Sequence, residues 1–575
     1  MPSSDDRNWD GETDLLIIGA GVAGMTAALV GTLEGLRVLI CEKSDMVGGT
    51  TATSAGTVWI PGSNQSEAAR APDTVDAARM YLAGLLGDEA ADERLLAYLS
   101  SGPAVLDYLE RKTSVVFVVP PIHPDYRNLP GAAVGGRALG AAPFDGRKLG
   151  NEFSRVRPPR REFLVLGGMM VGKNDIPPLL KPFGSLGNFK HAVSLLARHA
   201  RDRLSFKRGT RLIMGNALVA RLLYDIRRLA VDIRYRTSLT ELVKVGDEIA
   251  GAILTTPNGP LALRTRKGVV LATGGIGWSD ELRKRFLPES TRPYSLTPDT
   301  NTGDGILAGE RACGQIEDKL HSPALWMPSS VMKQPDGHLS VFPHIMLDRA
   351  KPGLLAVGGN GRRFVNEADS YHDVVQEMLR LNSVRCFFVC DRSFVFDFGI
   401  GLVHPGMRDL RRFVDAGYLF EGGTIADLAT KIGVDGEALS QTIERYSGFA
   451  ETGIDEEFGR GKSELNRFNG DPTNKPNPCL RKIGPGPYYA VAVWPSDLAS
   501  SVGLHTDSRA RVLQSSGEPL KGLYAAGADA ASIFKGTYPG PGTMIGPAIV
   551  FAWRAAMNAA GVLDNYLDNY PTPTD

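Results

Sequence analysis

From Thr537 the chain reads Thr537-Tyr538-Pro539-Gly540-Pro541-Gly542-Thr543-Met544-Ile545-Gly546-Pro547, which places a phenol beside a rigid turn that opens a helix. Pro539 and Pro541 fix φ, while Gly540 and Gly542 admit turn conformations closed to other residues. The N–H of Gly542 can therefore point outward as a donor. A tyrosine O–H and one backbone N–H converging on one oxygen make an oxyanion-type site, suited to polarising a carbonyl. Pro547 fits a first helical turn, where its missing N–H is not needed, and Ala548 to Ala556 reads as helix. Taken alone, the motif reads equally well as a tight turn before a helix.

Other residues that could do chemistry are scattered. Tyr126 sits in His123-Pro-Asp-Tyr126-Arg-Asn-Leu-Pro-Gly131, a turn-rich loop with little core for a tyrosine to fill. Tyr371 follows Asn360-Gly-Arg-Arg-Phe364-Val-Asn366-Glu367, whose Asn366-Glu367 pair reads as a loop brace. His344 and His372 are each able to shuttle protons, or to serve as surface or capping residues. The spacing shows no Ser/His/Asp arrangement and no metal cluster.

The elements that must position these groups begin at Asp14-Leu-Leu-Ile-Ile-Gly19-Ala-Gly21-Val-Ala23-Gly24. An apolar run followed by Gly-x-Gly-x-x-Gly predicts strand, tight turn and then a helix over Met25 to Gly35. A pyrophosphate suits that helix N-terminus, where free N–H groups and the dipole favour an anion. Leu36 to Glu42 supplies a second strand ending in an acid at the distance needed for ribose hydroxyls. The small-residue loop that follows, and the later returns at Val269 to Gly275 and Leu523 to Asp529, favour a flavin over a nicotinamide dinucleotide. The expected cofactor contacts are Gly19, Gly21, Ala23 and Gly24 in the first turn, with Glu42 and Lys43 at the second strand. Gly48, Gly49, Thr50, Thr51, Ser54, Ala55, Gly56 and Thr57 form the loop. Thr273 and Gly274, Gly527 and Asp529 (with a carboxylate for the ribityl chain), and Gly542, Met544 and Ile545 complete the set.

Size and charge set the frame. At 575 residues the chain exceeds one ordinary core, and 64 basic residues balance 64 acidic ones, so no nucleic-acid partner is indicated. Five cysteines (41, 313, 386, 390 and 479) form no metal or redox spacing, as in a reducing compartment. The polar, acidic start lacks the apolar core of a signal peptide, and no apolar run reaches the roughly 18 residues of a membrane span. The expected location is cytoplasmic. Between Arg155 and Arg228, however, 16 Lys or Arg stand against 4 Asp or Glu, a local net of +12. Beside them lie Phe163 to Val171 and Ile176 to Phe183. Basic residues flanking apolar ones suit peripheral membrane contact through 155–183; a loop packed on the domain or on a partner subunit suits them too.

The predicted fold is α/β, a Rossmann-like FAD-binding domain with an inserted α+β catalytic domain. Residues 1–297 form the first part of the FAD-binding domain, with a basic loop insertion at about 150–190. Residues 298–498 form the catalytic domain and 499–575 complete the FAD-binding domain, so chemistry belongs in the seam.

With Gly48-Gly-Thr-Thr-Ala-Thr-Ser54-Ala-Gly56-Thr-Val-Trp-Ile-Pro61, Thr302-Gly-Asp-Gly305, Gly361-Arg-Arg-Phe-Val-Asn-Glu367, Ala526-Gly-Ala-Asp529 and the Thr537 to Gly542 loop in view, the chain resembles the 3-ketosteroid dehydrogenases, among the flavoproteins related to fumarate reductase. The resemblance covers nearly the whole length. It implies noncovalent FAD, a ketosteroid or other cyclic ketone as substrate, and a quinone as electron acceptor. Tyr538 and the Gly542 N–H match the pair that polarises the ketone. Tyr371 matches the base that removes the α proton as tyrosinate, and Tyr126 a tyrosine that assists it. Met544 and the basic segment after Arg155 depart from the family pattern. Two other readings stay open: a similar desaturase acting at a different steroid position or on another ring ketone, such as a cyclohexanone-type acid, and a fumarate-type reductase using Arg362 and Arg363. More remote is a non-catalytic flavin or steroid binder.

Overall fold

The computed structural model describes residues 8–291, 294–346, 348–381 and 385–570. Strand β1 (Gly11–Ile18) ends in the buried apolar run Leu15 to Ile18, and β2 (Val38–Glu42) carries Leu39 to Cys41 buried, as parallel strands covered by helices require. Helix α1 (Val22–Leu33) joins them, starting three residues before the predicted Met25, and Val22 to Gly31 are all buried. Apolar all round, it fits a helix enclosed in a core. Helix α2 (Glu93–Lys112), α3 (Leu186–Arg203) and α4 (Met214–Arg228) follow, α4 packing on α1. In the predicted loop insertion, two-residue strands Leu164–Val165 and Met169–Met170 pair, and short helical turns lead into α3.

The first sheet then resumes. Strand β3 (Asp232–Tyr235) pairs parallel with β2, while β4 (Ser238–Val245), β5 (Glu248–Thr256) and β6 (Gly259–Leu271) form an antiparallel meander. The last residues of β6 turn parallel to β1.

A second sheet follows, entirely antiparallel: β7 (Ala324–Lys333), β8 (Leu339–Pro343), β9 (Leu354–Val357), β10 (Cys386–Asp391), β11 (Leu419–Gly422) and β12 (Tyr488–Ser500), in the order β8-β7-β12-β10-β9 with β11 also on β12. Helix α5 (Tyr371–Arg380) packs on β7. The chain returns to the first sheet through β13 (Arg511–Leu513) and β14 (Pro519–Ala525), and closes with α6 (Ile545–Ala560), which packs on α1 and α2. Among the described residues no helix is long and apolar enough to cross a membrane.

Candidate active site

Register assembles one end of the first sheet. Ile18 pairs with Cys41 and with Leu271, and Leu271 pairs with Ala525. The residues that follow each strand therefore share one edge: Gly19, Glu42–Lys43, Ala272–Thr273 and Ala526–Gly527. Ligands of open α/β sheets bind at such carboxyl ends. Gly19 has φ +104°, and a Cβ there would lie 2.2 Å from the carbonyl oxygen of Ala272. A Cβ on Gly24 would lie 1.9 Å from the oxygen of Gly19, whereas one on Gly21 would meet nothing within 4 Å. No side chain caps the first turn of α1, so the N–H groups near Ala23 and Gly24 face the open side of Gly21. That cradle fits a pyrophosphate. The Glu42 carboxylate accepts from the N–H of Ala20 and of Ser44, both at 2.8 Å, which holds it beside the turn. Lys43 Nζ bonds Thr302 Oγ1 and, at 2.9 Å, Asp304.

The loop after β2 lies along the same edge. Gly48 and Gly49 both have positive φ, and they lead into a short helix containing Thr50 and Thr51. Thr50 Oγ1 accepts from Asn301 Nδ2 at 3.1 Å, and Ser54 Oγ donates to the Thr51 carbonyl at 2.8 Å. Ala55 is exposed, while Gly56 and Thr57 are buried; a Cβ on Gly56 would strike Gly215 N at 2.3 Å. Asp529, expected to bond the ribityl chain, also has protein partners. Its two oxygens accept from Thr273 N–H (2.6 Å), Thr273 Oγ1 (3.0 Å) and Gly275 N–H (3.0 Å). It is fully buried, and burial pushes it up to about 6. Asp529 thus ties the turn after β6, with Thr273 and Gly274, to the turn after β14, with Gly527. Ile545 is buried and Met544 half-buried at the start of α6; no side chain caps that helix either.

The three tyrosines come from three distant segments and meet. Tyr126 and Tyr371 hydroxyls are 2.9 Å apart, and Tyr371 and Tyr538 hydroxyls 2.8 Å apart. The Tyr371 ring stands edge-on to both others, with centroids 5.5 and 5.2 Å away. Tyr126 does have a core to fill: it is buried with its two partners among Leu296, Leu325, Met327, Val341 and Met346. Burial drives all three phenols well above their ordinary value. Tyr371 is the first residue of α5, whose N-cap Ser370 accepts from Asp373 N–H, so the positive end of the helix dipole lies at the phenol's own backbone. Gly542 has φ +103°, and a Cβ there would lie 2.5 Å from Trp59 N; its N–H has no acceptor among the described residues. A Cβ on Gly540 would strike the Trp59 indole nitrogen at 2.6 Å. That nitrogen donates to Asp125, which also accepts from Arg137. Trp59, Asp125 and Arg137 back the turn, and nothing in their spacing foretold it.

Other candidates are otherwise engaged. His344 Nδ1 bonds Asp348 at 2.6 Å and its Nε2 bonds Ser330 Oγ at 2.8 Å, so a Ser/His/Asp series exists after all. Ser330 lies on β7, while His344 and Asp348 follow the paired strand β8, and no sequence spacing marks the series. It is sealed: Ser330 also bonds Tyr418, and a Cβ on Gly401 would lie 2.0 Å from that tyrosine's hydroxyl. No acyl group fits over the serine. Burial pushes His372 down to about 3, leaving a neutral ring that accepts from Trp326 N–H. Arg363 is buried between Glu367 and Asp455, with contacts of 2.8 and 2.9 Å, while Arg460 also pairs with Glu367. Glu367 therefore braces the core, and Arg363 has no free face for a dicarboxylate; Arg362 is exposed. Among the described residues no His, Cys, Asp or Glu cluster could hold a metal ion.

Comparison with known proteins gives three concordant results. Residues 14–545 match the FAD binding domain family. The chain is 36% identical to a 4-oxocyclohex-2-ene-1-carboxylate 5-dehydrogenase of Sinomonas cyclohexanicum, over 95% of this chain and 93% of that protein. It is 33% identical to the 3-oxosteroid 1-dehydrogenase of Mycobacterium tuberculosis, over 96% and 98%. Among solved structures, the 3-ketosteroid delta1-dehydrogenase of Sterolibacterium denitrificans in complex with 1,4-androstadiene-3,17-dione superposes with a TM-score of 0.89, at 33% identity, covering 96% of this chain and 99% of that one.

Proposed function

The chain belongs to the FAD-dependent flavoprotein family that contains the 3-ketosteroid Δ1-dehydrogenases, and we propose that it inserts a C=C bond beside the ketone of a 3-ketosteroid, between C1 and C2. The observation that carries this reading is the hydroxyl series Tyr126, Tyr371 and Tyr538, with the Gly542 N–H, unpartnered among the described residues, four residues beyond Tyr538.

Tyr538 and the Gly542 N–H bind the ketone oxygen and stabilise the negative charge that builds there. That acidifies the α C–H, whose proton passes to the Tyr371 phenolate. Tyr126 hydrogen-bonds the Tyr371 oxygen and steadies its charge. When bound, FAD supplies the acceptor for the hydride leaving the β carbon. Gly19, Gly21, Gly24, Glu42 and the 48–57 loop would hold it, noncovalently. The substrate loses one proton and one hydride, and the α,β bond becomes double.

The phenols are packed among Leu296, Leu325, Met327, Val341 and Met346, an apolar surrounding that suits the rings of a steroid. A cyclohexanone acid, the substrate class named for one relative, would bring a carboxylate against these apolar side chains. A fumarate-type reduction lacks support because Arg363 is tied into an internal ion network. The electrons leave to a quinone. Leu180, Phe183 and Leu186 are exposed among Lys181, Lys190 and other basic residues, which supports peripheral contact of a cytoplasmic protein with an anionic membrane, where steroid and quinone both dissolve.

Anaerobic mixing of the yellow protein with a panel of ring ketones tests the function. A 3-ketosteroid should bleach the flavin and yield the 1,2-desaturated product. Bleaching by 4-oxocyclohexanecarboxylate alone would reassign the substrate, and bleaching by neither would end the desaturase reading.

A further inference from the structure

Arg349 follows β8 and is fully buried. Its Nη1 donates to the carbonyl oxygens of Glu367 (2.5 Å) and Asp369 (2.6 Å), and its Nε to those of His344 and Ile345. Nη2 has no acceptor among the described residues. The Glu367 and Asp369 carbonyls belong to the turn that ends at Ser370 and launches Tyr371, so the guanidinium grips the support of the base.

The charge of this guanidinium is poorly matched locally. The adjacent Asp348 is turned the other way: its carboxylate accepts from His344 and Gly401 N–H, and takes only the backbone N–H of Arg349. Burial opposes ionisation of Asp348, yet the facing His344 holds it at about 2. Among the described residues Arg349 forms no ion pair with a carboxylate, and burial pushes it down to about 10. A buried cation without an anion is costly. The titratable groups around the Tyr371 phenol are few. Tyr126 and Tyr538 touch it. Asp369 precedes it, held by Asn466 and pushed up to about 6 by burial. His372 is neutral, and Asp373 is paired with the half-exposed Arg127 at 2.7 Å. The wholly buried positive charge in this set is Arg349, and it works against burial on both Tyr126 and Tyr371.

We propose that Arg349 is the positioning residue that keeps Tyr371 available as a phenolate, anchoring the turn beneath the phenol and supplying the fixed positive charge that an ionised oxygen there needs. The inference rests on Tyr371 being the base. Proton loss from Tyr371 then creates the anion that Arg349 lacks, and proton uptake from the substrate removes it again. Arg349 touches neither ketone nor flavin in this account.

The test uses the FAD-loaded protein with Arg349→Gln, Arg349→Lys and Tyr371→Phe. Arg349→Gln should move the rising limb of the kcat/KM profile to higher pH by a unit or more, which is about tenfold less phenolate at a fixed pH. The ultraviolet tyrosinate band that Tyr371→Phe removes should move with it, and Arg349→Lys should return both toward the wild type. A limb and band unmoved in Arg349→Gln, with only thermal stability reduced, would make Arg349 a structural brace and overturn the proposal. If Arg349→Gln fails to fold, arginine-labelled nitrogen resonances of the unaltered protein decide. One guanidinium signal should titrate with the limb and stay flat in Tyr371→Phe; its absence also overturns the proposal. Full turnover by Tyr371→Phe would instead remove the base assignment, and this inference with it.

Discussion

The N–H of Tyr126 donates to the carbonyl oxygen of Pro539 at 2.9 Å, and Tyr81 brings its hydroxyl to the same oxygen at 2.6 Å. The loop that carries one tyrosine is thereby pinned to the residue next to another, Tyr538. Three phenols from three segments keep a fixed mutual geometry because two of their backbones are bonded together, and the third begins a helix. Preorganisation of this kind is what transition-state stabilisation demands.

Tyr371→Phe should abolish turnover while leaving ketosteroid binding nearly intact, because the phenol is needed to take a proton and the ring alone fills the space. Loss of a general base lowers the rate by about 10² to 10⁴. The active form is the phenolate, and burial drives the phenol upward, so wild-type kcat/KM should climb with pH through neutrality. Stopped-flow flavin reduction checks both points. A variant with wild-type rate would dismiss Tyr371 as the base.

Tyr538→Phe should weaken binding and slow the reaction together, since the hydroxyl bonds the ketone in the ground state and more tightly in the enolate-like transition state. Removal of one such donor is worth about 3 kcal/mol. Titration of the flavin spectrum with product, alongside single-turnover rates, measures the two losses separately; an effect on rate with none on binding would place Tyr538 away from the ketone oxygen.

Arg363→Ala should cripple stability before it touches chemistry. The substitution leaves Glu367 and Asp455 buried without their shared partner, and breaking a buried pair costs about 3–5 kcal/mol. Thermal unfolding followed by far-ultraviolet dichroism should show a large drop in Tm. If the variant melts normally but loses a fumarate-reducing activity present in the wild type, the reductase reading replaces ours.

Liposomes of anionic lipid should pull the protein down at low salt and release it at high salt. Each basic residue near a membrane surface contributes about 1 kcal/mol and is screened within a Debye length. Phe183 and Leu186 are 86% and 69% exposed, so Phe183→Ser with Leu186→Ser should weaken the association. Protein left in the supernatant at low salt would assign this face to another role.

What the sequence made legible was what local pattern encodes. Gly19 and Gly24 announced a turn because sterics demand glycine there, and Tyr538 announced a site because proline and glycine frame it. The tyrosines' roles came only through a family resemblance, since nothing in the spacing of 126, 371 and 538 says they touch. The bonds of Asp529 to Thr273 and Gly275 were hidden, because only the register of β6 with β14 brings the two turns together. Ser330 and the His344–Asp348 pair escaped notice because the pairing of β7 with β8, invisible to periodicity, brings the serine to the histidine. Arg349 was illegible altogether, because a lone arginine earns meaning only from the carbonyls around it.

The pairing of Leu271 with Ala525 makes the cofactor edge a late event in the life of the chain. A growing polypeptide that has already emerged through β6 still lacks β14, one wall of the cradle, and the 247 residues between Leu271 and Pro519, which carry the separate sheet, must follow before the ends can meet. Closing so long a loop is slow and entropically opposed. Capture of the flavin therefore waits on completion of the chain, and a nascent or truncated product ending before residue 519 should carry the full glycine fingerprint yet remain colourless.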